Sequence, residues 1–398
     1  MSKTIRNTLF PLVIALLALP VAAQEGPFEF QSDHYRIVSE VSTSHAEETA
    51  DKMEALIALY NHHFRLPLDE LRSPLRVRVF ASKVQFEDYL HRLIGTTRNG
   101  FVYLHYGDPG KNELIGYVGD EDSLEASIIH QGFIQYLRAF VSNPPLWLRE
   151  GFAVYFEGTR FDSDFGAVVF RENLGWLETL QSLLRGEAGH DPIPLDRMLS
   201  ISLEEARERV DVFYPQAWGM VSFLINAEDP EINRILWDSL SALSPTASTE
   251  QNAQNVYNRA FRWVDRRSLV EDFHEYTMSL RTFQGWIEDA VAAFETGDLA
   301  DAERGFLQAA NLRDDHHVPF YFLGLINYEQ ENFTLADYYY RNALDRGAEE
   351  PVTLYALGVN AYADNRFDDA RRYLAGTVDL DPAYRDRAES ILVRIRDW

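Results

Sequence analysis

The chain has 398 residues, 46% hydrophobic and 25% charged, which is enough apolar material for folded cores and excludes wholesale disorder. Its 62 Asp and Glu against 37 Lys and Arg give a net charge of -25, which speaks against a nucleic-acid binder and against a polybasic membrane-surface protein. Cysteine is absent, so disulfides, thiolate zinc sites and thiol nucleophiles are excluded.

Residues 1–23 read as a cleaved signal peptide. Lys3 and Arg6 form a positive start, Leu9 to Leu19 an apolar run broken by Pro11, and Val21-Ala22-Ala23 a small-residue cleavage site. The run is short for a membrane span, which needs about 20 apolar residues. Cleavage takes two positive charges from -25 and leaves -27. The expectation is an exported protein, periplasmic or extracellular, with no membrane attachment after cleavage; a retained N-terminal anchor is the other reading.

Residues 24–282 read as one domain. Phe28 to Val38 is expected to be an extended strand. Ala46 to Phe64 has helical spacing, with Met53, Leu56, Ile57 and Tyr60 on one stripe. Leu75 to Phe80 alternates as a half-buried strand, and Val84 to Leu93 is again helical. Phe101 to Tyr106 and Glu113 to Val118 flank a Gly- and Pro-containing turn, the pattern of a hairpin. Ser123 is an expected N-cap for a helix whose buried face carries Leu124, Ile128, Ile129, Phe133, Ile134 and Leu137. Asn143-Pro144-Pro145 breaks it, and a second helix runs from Leu146 to Glu157. A polar stretch with Pro245, from Ser239 to Gln254, reads equally as an ordered or a mobile loop.

The segment from His130 to Glu157 resembles the zinc metallopeptidases of the gluzincin kind, in particular the peptidase-MA-like domain. The motifs are His130-Gln131-Gly132-Phe133-Ile134, then Pro144-Pro145, then Trp147-Leu148-Arg149-Glu150-Gly151-Phe152-Ala153. Phe213-Tyr214-Pro215-Gln216-Ala217-Trp218 is similar to a later helix of that family. The resemblance implies an α+β zincin-like domain with a small N-terminal sheet and a helical remainder. In that family two histidines one helical turn apart and a glutamate on the next helix hold zinc, and a glutamate beside the first histidine is the general base. His130 and Glu150 match the first and third ligands. Ile134 stands where the second histidine would be, and an alkyl group binds no metal. Gln131 stands where the base would be, and an amide does not take up that proton. Tyr214 falls at an oxyanion-side position and is expected to be structural.

His130 therefore has two readings, a core histidine bonded to Glu150 or a remnant metal ligand. Glu150 has likewise two, as the partner of His130 or of an arginine. His91 and His105 are the histidines that could replace the lost ligand, although no spacing supports either. No cofactor is expected; zinc belongs to the alternative reading alone.

The last third repeats with a period of 34. Leu299, Phe333 and Phe367 keep that spacing, as do Ala302, Ala336 and Ala370; Phe306, Tyr340 and Leu374; Ala290, Gly324 and Gly358; and Ile287, Tyr321 and Tyr355. Small residues recur where helices approach closely and large apolar ones where gaps are filled. With Trp286, Leu323-Gly324, Leu357-Gly358 and Pro382, the pattern resembles the tetratricopeptide repeat. The resemblance implies an all-α solenoid over 283–398, with units at 283–316, 317–350 and 351–384 and a capping helix from Arg385 to Trp398. It also implies a protein or peptide partner on the concave face; a purely packing role is the other possibility. His316 and His317 meet at a unit junction. Adjacent helical residues diverge, so they are expected at the surface and not as joint metal ligands.

Two functions follow. One is a non-catalytic, metallopeptidase-like protein of the cell envelope, joined to a repeat domain that binds a partner. The other is an active zinc-dependent peptidase with an unusual ligand set around His130 and Glu150.

Overall fold

A computed structural model describes residues 27–119 and 122–396. The signal peptide expected over 1–23 lies outside these residues.

The stretch expected as one strand from Phe28 to Val38 is two. β1 (Phe28–Gln31) and β2 (Tyr35–Ser39) pair antiparallel, with Phe28 opposite Ser39. The reason is tertiary: Ser32 Oγ and His34 Nδ1 both bond the Glu54 carboxylate, at 2.6 and 2.7 Å, and fix the turn onto the following helix. That helix, α1 (Thr43–Phe64), starts at Ser42, whose side chain accepts from His45 N–H. It buries the expected stripe of Met53, Leu56, Ile57 and Tyr60. β3 (Leu75–Phe80), α2 (Lys83–Ile94), β4 (Val102–Leu104) and β5 (Glu113–Tyr117) follow.

The five strands form one mixed sheet in the order β1-β2-β3-β5-β4. β2, β3 and β5 are parallel, and β4 closes the far edge as the antiparallel partner of β5, with Tyr103 opposite Leu114. Alternation sorts the sheet's side chains. Val77, Val79 and Leu114 join the main core, whereas Phe80, Ile115 and Tyr117 form a second, smaller core with Phe86 and Leu90 of α2.

The main core is built by α1, α3 (Asp122–Phe140) and α4 (Leu146–Phe156). Ser123 lies just inside α3, one residue past its start. Tyr60, Phe64, Phe133, Tyr136, Phe152 and Phe156 interlock with ring centroids 4.6–6.3 Å apart. The phenols are satisfied: Tyr60 donates to Ile129 O at 2.8 Å and Tyr136 to Asn61 Oδ1 at 2.7 Å. A short hairpin of β6 (Arg160–Asp162) and β7 (Ala167–Val169) leads into the helical remainder. This comprises α5 (Leu177–Leu184), α6 (Leu195–Met198), α7 (Leu203–Glu208), α8 (Val210–Asn226), α9 (Pro230–Ser241), α10 (Thr249–Val256) and α11 (Arg266–Ser279). α4 and α8 approach so closely that a Cβ on Gly151 would stand 2.3 Å from Ala217 O.

The segment from Ser239 to Gln254 takes the ordered reading. Pro245 and Ala247 carbonyls accept from Ser142 N and Asn143 Nδ2, and Asn252 bonds back to Asn143 O.

From Phe283 the chain forms helix pairs: α12 (Phe283–Thr296) with α13 (Leu299–Leu312), α14 (His317–Glu329) with α15 (Phe333–Asp345), and α16 (Glu350–Ala363) with α17 (Phe367–Leu380). α18 (Arg385–Leu392) packs on α17, and a 3₁₀ turn at Val393–Ile395 follows it. The small residues sit where the helices of a pair meet. A Cβ on Gly324 would strike the Tyr340 ring, and one on Gly358 would strike Leu374. His316 and His317 are half-buried, with rings stacked 4.9 Å apart, and His316 caps α14.

A further column of the 34-residue period shows itself in the backbone. Gly297, Glu331 and Asn365 all adopt positive φ, at 83°, 60° and 57°. Each ends the first helix of its pair with the same two bonds: Gly297 N to Phe294 O and Asp298 N to Ala293 O, Glu331 N to Tyr328 O and Asn332 N to Asn327 O, Asn365 N to Tyr362 O and Arg366 N to Ala361 O. This is the Schellman stop, made once with glycine and twice without it. Altogether the described residues hold a small mixed sheet and a helical remainder of eighteen α-helices, an α+β region followed by an all-α one.

Candidate functional site

His130 projects from the middle of α3 toward α4 and is held on both ring nitrogens. Nε2 lies 3.1 Å from Glu150 Oε2, and Nδ1 lies 2.5 Å from Glu157 Oε1. Glu150 and Glu157 are seven residues apart, two turns on one face of α4 and its end, so a single imidazole bridges them. The outer atoms are fixed in turn. Arg149 donates Nε and an Nη to Glu150 Oε1 at 2.8 and 2.6 Å, and Asn173 Nδ2 donates to Glu157 Oε2 at 2.7 Å.

The electrostatics follow from burial against pairing. Burial alone would lower the His130 pKa, but the bonds to Glu150 and Glu157 outweigh it and raise it to about 9. Burial would raise Glu150, but Arg149 and then His130 hold it down at about 2. At neutral pH the centre is an imidazolium between two carboxylates, with both N–H groups donating.

Gln131 turns to the sheet and not to His130. Its Oε1 accepts from Tyr103 N on the edge strand at 3.3 Å. Ile134, one turn past His130, is 6% exposed and belongs to the main core. Tyr214 stacks on Trp176, with ring planes 17° apart, and burial pushes its phenol up to about 12. His91 is exposed in the last turn of α2. His105 follows β4, with its ring 5.9 Å from that of Tyr103.

The residues present do not fit a three-ligand zinc site. The second position is alkyl, which leaves His130 and Glu150 as two of the three protein ligands that such a site uses, and His130 Nδ1 is bonded to Glu157. Among the described residues no group of three or more His, Asp or Glu is arranged to hold a metal ion.

The chain matches no model of a known protein family, and no curated protein matches its sequence. The site is therefore argued from its own geometry. Sequence reasoning brought out His130, Gln131, Ile134, Glu150 and Tyr214, and the structure joins only His130 and Glu150 by a direct bond. It missed Glu157, Arg149 and Asn173. The signal for Glu157 was its position seven residues past Glu150 on one helix face. A further group, Glu172, lies near Trp218, Ser222 and Asn226; burial raises its pKa to about 7, and these polar neighbours offset only part of that rise. No described helix is long and apolar enough to cross a membrane.

Proposed function

We propose that this chain is an exported, metallopeptidase-like protein that binds peptide without cleaving it, and that a tetratricopeptide-type array in its last third binds a protein partner of the cell envelope. The observation that carries the reading is the closed state of the His130 centre. His130 is bonded on both ring nitrogens, by Glu150 and by Glu157, while Ile134 supplies no ligand and the Gln131 amide no base. Peptide binding is supported by the edge strand. β4 ends the sheet beside this centre, and extended peptides add to such edges by main-chain hydrogen bonds; one adding here would displace the bond of Gln131 to Tyr103 N. Array-type binding is supported by the three helix pairs at a 34-residue period, because stacked pairs of that kind present extended concave surfaces.

Elemental analysis and a protease assay on the purified mature chain test the reading. The expected result is no stoichiometric zinc and no chelator-sensitive cleavage. Tightly bound zinc together with proteolysis abolished by a chelator would overturn it in favour of an active peptidase. A complementary gain-of-function test is the double variant Gln131→Glu, Ile134→His. It is expected to acquire zinc binding, because His130 and Glu150 already face one another. A folded double variant that stays metal-free would sever the link to a metallopeptidase ancestor.

A further inference from the structure

We infer that the cavity enclosed by α5, α6, α8 and α11 is a binding site for the hydrocarbon chain of a neutral, single-chain amphiphile. It shares no wall residue with the His130 centre and does not rest on the peptide-binding reading above.

The cavity holds about 340 Å³. Met220 and Phe223 of α8, Met198 of α6, Phe273 of α11 and Phe261 of the π-turn after α10 form its wall, and all five are buried. Pro194 and Val270 line the same space and are exposed, so it opens between the start of α6 and α11.

The wall asks for no water. Among the described residues its one polar side chain is Gln216, and both ends of that amide are spent on one residue: Ile193 N donates to Oε1 at 2.7 Å, and Nε2 donates to Ile193 O at 3.1 Å. None of the buried side-chain nitrogens and oxygens left without a partner lines the space. A water is held only by two to four polar partners, so such a wall favours an apolar occupant. Met198 and Met220 are two of the chain's five methionines, and their unbranched thioethers re-pack readily around a flexible chain. A cavity of about 150 Å³ takes up benzene, so this one has room for about twelve carbon atoms. That is one medium-length chain; the paired long chains of a phospholipid would not fit.

The mouth fixes the character of the head. Arg266, Leu269, Val270 and Phe273 fall at i, i+3, i+4 and i+7 on one face of α11, and the last three line the cavity. Arg266 therefore stands one turn beyond the wall. Its Nη1 donates to Asp196 Oδ1 at 2.7 Å, and Asp196 follows the wall residue Leu195 in α6, so the ion pair spans the two lips. Together the two side chains are neutral and offer both N–H donors and acceptor oxygens. A hydroxyl or ester head is matched there, whereas a carboxylate is repelled by Asp196 and a quaternary ammonium by Arg266.

The test is calorimetry on the full mature chain with 1-monoacylglycerols of six to fourteen chain carbons, each below its self-association limit. One molecule is expected to bind per chain, about fourfold tighter for each added methylene, with the gain ending near twelve carbons. No binding at any length overturns the site, and so does a gain that continues to the longest chain, which is adsorption to the surface. Val270→Trp and Leu195→Trp each set a bulky ring at the mouth and are expected to weaken the ten-carbon ligand about tenfold. Undiminished binding in every variant that folds overturns the site; should neither fold, the wild-type chain-length profile decides alone. Decanoate and decyltrimethylammonium, matched in length, test the head. The monoacylglycerol is expected to bind about threefold tighter than either, with the margin reduced in Arg266→Gln. Either ion binding tighter than the monoacylglycerol overturns the neutral head.

Discussion

Between Tyr35 and Phe273 one contiguous apolar core holds most of the buried residues, with a smaller one under α2, whereas the helix pairs after Phe283 bury theirs in two small clusters strung along the chain. In the first region strands and helices far apart in sequence meet. Phe133 alone touches the rings of Tyr60, Phe64, Tyr136, Phe152 and Phe156. In the second, each helix packs mainly on its neighbours in sequence. Damage should therefore spread through the first region and stay local in the second. Phe133→Ala is the strongest test. Truncating a fully buried phenylalanine costs about 3–5 kcal/mol. Calorimetry is expected to show the transition of the first region moving down as a unit while that of the helix pairs stays in place. A common shift of both would mean that the two regions unfold together.

The regions also differ in how charge is held, and pH separates them. The Glu150 pKa is depressed to about 2, so its contribution is present above pH 4.5 and is lost as pH falls toward 2. Glu172 is raised to about 7, so stability declines as pH rises from 4.5 through 7. His130 is raised to about 9, so its contribution is complete below pH 6.5 and is lost as pH rises through 9. The first region should be most stable near pH 5, and each of the two upper groups should remove on the order of 3 kcal/mol by pH 9. Melting temperatures across pH 4–9 check this. Glu172→Gln should flatten the decline between pH 4.5 and 7 and leave the His130 limb intact; an unchanged profile would show that Glu172 does not carry it. Most ion pairs of the helix pairs, such as Arg341 with Asp337, are solvent-facing at the arginine, and that region should respond to pH far less.

Close helix contacts give a smaller, paired comparison. Gly151→Ala drives a methyl against the Ala217 backbone oxygen, which cannot move without shifting α8. Gly358→Ala meets the Leu374 side chain at 2.7 Å, and the nearest backbone atom, Leu374 N, is at 3.4 Å. Overpacking costs about 1–3 kcal/mol, and the backbone clash belongs at the top of that range and the side-chain clash at the bottom. Denaturant titration of both variants measures the difference; equal costs would show that α8 yields as readily as a leucine rotamer.

These contrasts also explain what the sequence revealed. The stripe of α1, the alternation of β3, the Pro144-Pro145 break and the 34-residue columns are local or periodic, and the helices and strands they imply are present. The break between β1 and β2 was not legible, because the Ser32–His34 turn is set by Glu54 on a later helix. Gln131 and Ile134 were legible as residues out of place. The bridge from His130 to Glu157 was not, because only folding shows that α4 lays two turns of carboxylates along one imidazole.

The column at Gly297, Glu331 and Asn365 is the sharpest instance. Glycine at the end of a helix announces a left-handed stop, but glutamate announces nothing, so the column was invisible although the period was known. The backbone repeats there more faithfully than the side chains do. A left-handed residue with a Cβ costs about 1–2 kcal/mol, less for asparagine, while glycine returns part of that gain to the unfolded chain through its extra freedom. Glu331→Gly should therefore stabilise the helix pairs by roughly 0.5–1 kcal/mol, Asn365→Gly by a few tenths, and Gly297→Ala should destabilise by about 1 kcal/mol. Hydrogen exchange should place each change in the pair that carries it and leave the Phe133 core untouched. Spread of the Gly297→Ala effect into that core would erase the distinction between the two regions, because the variant nearest their junction would then act on both.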